Sequence, residues 1–166
     1  MFFVRAMDHV DVILEQWRKE RSDLDVTPMA TTGRINKLSR HFVHEMGRTW
    51  EKFGLHHASF DVLATLRRSG PPYALSPGEL IASTMVTSGT MTNRVDQLEK
   101  AGLVARVQSE DDKRSFRVGL TTKGRTLIDK AVGEHVKTLH RLTQMLSKKE
   151  AKTLNELLKK MLLSIE

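Results

Sequence analysis

The chain has no cysteine. Structural disulfides, thiolate zinc sites and switches driven by thiol oxidation are therefore excluded. Aromatics are sparse, with two Trp, one Tyr and six Phe among 166 residues. No apolar run approaches the roughly 20 residues that a bilayer span requires, and the stretch from Met1 to Met7 is short and interrupted by Arg5, unlike a secretory signal. A cytoplasmic protein without a membrane partner is expected. Glycine-rich phosphate loops, a serine at a nucleophile elbow and a carboxylate pair that sequence can place in a cleft are all missing, so no catalytic residue is assigned and no enzyme is expected. His41 and His44 lie three apart and His56 and His57 are adjacent, but no third ligand follows at helical spacing. Neither a metal nor a cofactor is expected.

Charge is plentiful, at a formal net of +7. That excess suits a polyanionic partner and salt-dependent attraction to it, but its distribution matters. Residues 84–120 hold six Lys/Arg and five Asp/Glu, a net of +1, whereas residues 121–166 hold ten and five. Any argument for recognition must rest on the placement of individual residues.

Placement is most informative from Ser76 to Leu120. Ser76 followed three residues later by Glu79 has the spacing of a capping box, and Pro77 fits a first helical position because its missing donor would be orphaned there. A second helix is predicted from Ser88, burying Met91, Val95 and Leu98 at i, i+4 and i+7. At about 100° per residue, Thr90, Asn93, Gln97 and Lys100 point away from that stripe, with Arg94 at the border. Together with Ser88 and Thr92 they form a set of hydrogen-bonding and cationic side chains suited to base edges and phosphates. Gly102 is expected to end the helix with a left-handed cap. From Leu103 the periodicity alternates, placing Leu103, Ala105 and Val107 on one side of a strand. The return strand, Phe116–Leu120, follows a turn in which Lys113 and Arg114 stand beside Asp112, a tip able to enter a minor groove. Helix, helix, hairpin in this order is a winged helix-turn-helix.

The remaining chain reads as helices. A short one covers Asp11 to Lys19, offering Val12, Ile13 and Trp17, and is followed by the polar break RSDLDVTP. A long one from near Pro28 carries Ile35, Leu38, Phe42 and Met46 at helical spacing and is closed by Gly54; another runs from about His57 to Ser69, stopped by Gly70, Pro71 and Pro72. On that helix Arg68 returns to within about 20° of Asp61, two turns away, at one edge of the apolar arc of Phe60, Val62, Leu63, Ala64 and Leu66. After the hairpin, Thr122 is expected to cap a helix from Lys123 to about Met145. Ser147 and Glu150 repeat the capping-box spacing before a last helix carrying Leu154, Leu157, Leu158, Met161, Leu162 and Ile165. So apolar a stripe either packs on its own domain or is covered by a second chain.

From about Val10 onward the sequence resembles the MarR family of dimeric transcription regulators. GLVARVQSEDDKRSFRVGLTTKG matches that family's wing signature, in which an Asp precedes a basic pair, here Asp112, Lys113 and Arg114, so that Asp112 orients the two cations. The runs FDVLATLRRSGPPYALSPGEL, from Phe60, and TSGTMTNRVDQLEKAGLV, from Thr87, are similar to the branch that responds to urate and related purines. Gln97 stands where relatives often carry Arg, which bears on the operator sequence read. The resemblance implies a mainly α (α+β) fold with N-terminal helices contributing to dimerisation (1–54), a winged helix-turn-helix (55–121) and C-terminal dimerisation helices (122–166). It implies a homodimeric repressor on a pseudo-palindromic double-stranded operator, released by a small aromatic anion such as urate, a related purine or a phenolic acid. The branch's effector residues correspond to Trp17, Asp61, Arg68 and Arg106. Two alternatives are a regulator of the same fold without a small-molecule switch and a helical protein-interaction module that has lost DNA binding.

Overall fold

The computed structural model describes residues 7–84, 91–108 and 116–165. Of the expected DNA-contacting and wing residues, Ser88, Thr90, Asp112, Lys113 and Arg114 lie outside the described residues. The described elements are α1 (His9–Glu20), α2 (Thr27–Glu51), α3 (His57–Arg68), β1 (Ala74–Leu75), α4 (Pro77–Ser83), α5 (Met91–Lys100), β2 (Val104–Gln108), β3 (Phe116–Leu120), α6 (Thr122–Thr143) and α7 (Lys148–Leu162). The architecture is mainly helical with one small antiparallel sheet, as the sequence pattern predicts. No helix among the described residues is long and apolar enough to cross a membrane.

The chain divides into two compact units at Glu45 and Met46. In the first, α1 begins earlier than its apolar residues suggest, because Asp8 and Asp11 form a reciprocal capping box. Arg34 of α2 joins both carboxylates, with Nε 2.8 Å from Asp8 and Nη2 2.6 Å from Asp11. Val10, Leu14 and Val26 form a small core there.

The second unit holds the larger core, in which Leu55, Leu63, Leu66, Leu80, Val104, Val118 and Ile128 are fully buried. The sheet order is β1-β3-β2. Val104 pairs with Leu120 and Gln108 with Phe116 across the hairpin, while Ala74 and Leu75 pair with Gly119 and Val118. Two residues long and without periodicity, β1 gives no sequence signal; it exists because β3 offers it an edge. The alternation predicted for β2 fails in one respect. Leu103 and Val104, on opposite sides, are both buried, and Val107, on the side of Leu103, is 54% exposed, because only the root of the hairpin stands on the core. Beyond it both faces meet solvent and alternation no longer marks an inside.

Helix termini explain two boundaries. Gly102, at φ +70°, turns the chain from α5 into β2 as the left-handed position requires. Thr121, not Thr122, caps α6: its hydroxyl accepts the Gly124 N–H at 3.0 Å and donates to the Gly102 carbonyl at 2.8 Å. The first threonine is preferred because only it reaches both the new helix and the end of the old one.

Trp50 stacks on Phe60 with ring centroids 5.0 Å apart, and His135 of α6 approaches both rings at 5.6 and 4.9 Å. Burial holds the His135 imidazole below its ordinary value of 6.5. The unfolded chain therefore binds this proton at a higher pH than the folded chain does, so stability rises with pH across the window just below 6.5. The thermal midpoint is expected to fall between about pH 7.5 and about pH 5.5, and the fall to shrink in His135→Phe. Equal slopes in the two proteins would exclude His135 as its source.

Candidate nucleic-acid interface

The second helix of the predicted pair is built as its stripe requires. Met91, Val95 and Leu98 of α5 are buried in the main core, which leaves Thr92, Asn93, Gln97 and Lys100 exposed on the opposite side. In front of it α4 is fixed by the Ser76–Glu79 capping box, in which Ser76 N–H donates to Glu79 Oε2 at 2.7 Å and the Glu79 N–H to Ser76 Oγ at 3.3 Å. The hydrogen bonds of Ser76 to the Glu79 carboxylate, its backbone N–H foremost, keep that carboxyl below its ordinary range. Behind α5, Leu103 N–H donates to the Leu98 carbonyl at 2.9 Å, so helix and hairpin share one corner.

Among the described residues of this head, three of the four cations, Arg94, Arg106 and Arg117, hold the domain together. Arg94, expected at the border and suited to phosphate, directs Nη1 to Gln97 Oε1 at 2.8 Å and to Ser59 Oγ of α3 at 3.3 Å. Arg117 of β3 binds Glu79 at 3.1 Å and the Ala74 carbonyl at 3.3 Å. Arg106 of β2 is gripped by Asp96 and Glu99 of α5. Among the described residues of α5, the exposed Lys100 and the polar groups of Thr92, Asn93 and Gln97 are therefore what the helix turns outward. Ser59, Asp96 and Glu99 carry no sequence signal for these roles, because each pairing joins elements whose juxtaposition only the fold supplies.

The residues matched to an effector site fall as follows. Asp61 and Arg68 share one side of α3, with Arg68 Nη1 4.0 Å from Asp61 Oδ1. Asp61 is largely buried, whereas Arg68 is more than half exposed and also donates to the Ser83 carbonyl at the end of α4. Arg106 stands on the hairpin against α5, its guanidinium over the Phe116 ring at 5.4 Å. Trp17 lies on α1 in the first unit and is 41% exposed.

Residues 53–115 match a family model described as MarR family. Across a wider span, the chain is 40% identical over 149 residues to the HTH-type transcriptional regulator PecS of Dickeya dadantii (strain 3937), covering 90% of each protein. The chain belongs to the MarR family. It is a MarR-type DNA-binding transcriptional regulator, and the family model spans α3, β1, α4, α5 and β2. A solved structure of a mutant E. coli MarR complexed with operator DNA superimposes with a TM-score of 0.70 at 25% identity, covering 88% of this chain and 97% of that one. Bordetella bronchiseptica BpsR, whose DNA binding is regulated by 6-hydroxynicotinic acid, superimposes with a TM-score of 0.69 at 25% identity over 78% of this chain and 91% of that one. The relatives that this chain matches carry the names of transcriptional regulators.

Proposed function

We propose that this MarR protein is a homodimeric repressor whose paired α5 helices enter successive major grooves of a pseudo-palindromic operator, and that a small aromatic anion such as urate or a related purine releases it. The observation that carries the DNA-reading part is the division of α5 into a buried Met91–Val95–Leu98 stripe and an exposed face of Thr92, Asn93, Gln97 and Lys100. Ser88, Thr90, Asp112, Lys113 and Arg114, outside the described residues, are the further contacts and wing residues expected from the sequence. Half-sites about 34–36 Å apart follow from two-fold symmetry. Dimerisation rests on residues 1–54 and 122–166, supported by α7, where no residue is buried although five of its residues are Leu or Met.

For the effector, Arg68 offers a planar fork for the oxygens and ring nitrogens of a purine anion; Trp17, given a stacking role by the resemblance alone, belongs to the first unit. Arg68 also links the end of α3 to the last carbonyl of α4. An anion that draws this guanidinium away, and repels Asp61 beside it, loosens the helix that leads into the reading head. Arg106 of the same set is held by two carboxylates, so an anion reaches it only in competition with them. A regulator with the same fold and no switch is the second reading, favoured by how fully Arg106 is occupied.

The deciding experiment titrates labelled operator with protein and then adds urate, xanthine or a phenolic acid. Release at a coupling of about 5- to 150-fold is expected, and Arg68→Ala is expected to keep operator affinity while losing most of the release. If none of the compounds releases DNA, the switch is excluded. If Asp61→Asn releases at an unchanged urate concentration, carboxylate repulsion plays no part.

A further inference from the structure

Arg106 is the residue of the reading head whose partners least resemble those of a group waiting for a ligand. It sits in the middle of β2, paired with Val118, and its side chain crosses to α5. Nη1 bonds Glu99 and Nη2 bonds Asp96, both carboxylates belonging to one helical face three residues apart. The backbone N–H of Arg106 donates to Glu99 Oε1 at 3.2 Å, so strand and side chain grip the same carboxylate. On its other side the guanidinium lies over Phe116, the first residue of the return strand. One side chain therefore touches α5 and both strands of the hairpin.

We infer that Arg106 is a positioning residue for operator recognition, a clamp that sets the hairpin's angle against α5 and neutralises two acids on the helix that approaches DNA. Two needs meet in it. Asp96 and Glu99 are partly exposed carboxylates on a helix facing a polyanion, where they oppose binding unless a cation cancels them. Beyond the Arg106–Val118 pair the hairpin has little apolar contact with the core, since Val107 and Phe116 are both exposed, so burial alone does not fix the direction of its outer part. A planar fork with bonds to two carboxylates restrains orientation as a single point charge does not. Asp96 and Glu99 thus act with Arg106 as one unit, and none of the three needs to touch a base.

This inference rests on the proposed DNA-reading role but not on the effector. Its test separates the three. The chain has no native cysteine, so spin labels at V107C and K100C, both on exposed positions, report the distance between hairpin and α5 in free protein by pulsed electron resonance. Operator affinity is measured in parallel for the parent, R106Q, the pair D96N/E99Q, and the triple variant. The clamp predicts a distance distribution that broadens in R106Q, an affinity loss of about tenfold for R106Q in the parent, and a further loss below about twofold when R106Q is added to D96N/E99Q. Should R106Q fail to fold, the exchange R106E/E99R replaces it and is expected to recover most of the affinity that R106E alone loses. An unchanged distribution together with the same loss in both backgrounds overturns the clamp and makes Arg106 a direct contact of DNA. A parent that binds no operator while the distribution still broadens in R106Q refutes the DNA-reading role and leaves the geometric clamp standing.

Discussion

Replacing Gly124 by alanine is expected to unfold the winged unit or leave it severely destabilised, by about 3 kcal/mol or more. A Cβ on Gly124 would lie 2.8 Å from the Leu103 carbonyl carbon and closer still to its oxygen. That oxygen cannot retreat, because it accepts the Thr121 N–H at 3.1 Å and the Thr121 hydroxyl at 3.2 Å. The neighbours are backbone on both sides, so no rotamer change relieves the clash. The first turn of α6 would have to lift from the corner joining α5 and β2, opening the core at Leu103 and Ile128. Thermal melting of Gly124→Ala against Gly133→Ala measures the effect, since a Cβ at Gly133 meets nothing within 4 Å. Equal midpoints would show that α6 is not seated on this corner.

The second large effect concerns α7. Leu157→Asp is expected to convert a dimer to monomers at micromolar concentration and to weaken operator binding by about 100-fold or more, while helix content stays nearly unchanged. In the single chain Leu157 is 57% exposed, so a carboxylate there costs only the modest helix propensity of Asp. In a dimer it would be buried without a partner, which is strongly destabilising. The exposed apolar residues of α1 and α2, among them Ile13, Trp17, Ile35 and Leu38, supply the same kind of uncovered face in the other unit. Light scattering and fluorescence anisotropy read the two outcomes together. A variant that remains dimeric and binds as tightly as the parent removes α7 from the interface.

Local chemistry was legible in the sequence wherever the determining residues lie within one element. The Ser76–Glu79 and Ser147–Glu150 boxes, the Met91–Val95–Leu98 stripe and the Gly102 cap all depend on spacings of a few residues, and all appear in the structure. What spacing could not reveal depends on elements distant in the chain. The two-residue β1 forms only because β3 lies beside it. Thr121 prevails over Thr122 as cap because the end of α5 is within reach. Arg106 meets Asp96 and Glu99 because the hairpin folds back over α5. Its place among residues matched to an effector came from resemblance, and its bonds came from topology. Asp61 and Arg68 are brought together by one helix, as their seven-residue spacing predicts, while Trp17 belongs to the first unit.

A direct test of the account is operator binding as a function of half-site spacing. A labelled duplex carrying the proposed pseudo-palindromic operator is titrated beside one in which about 5 bp, half a helical turn, separate the half-sites further. Two protomers per parent duplex, an affinity that falls steeply with salt, and loss of most of that affinity in the spaced duplex are the predicted results. Equal affinity for both duplexes, or a single protomer bound per site, would contradict a symmetric dimer reading two successive grooves.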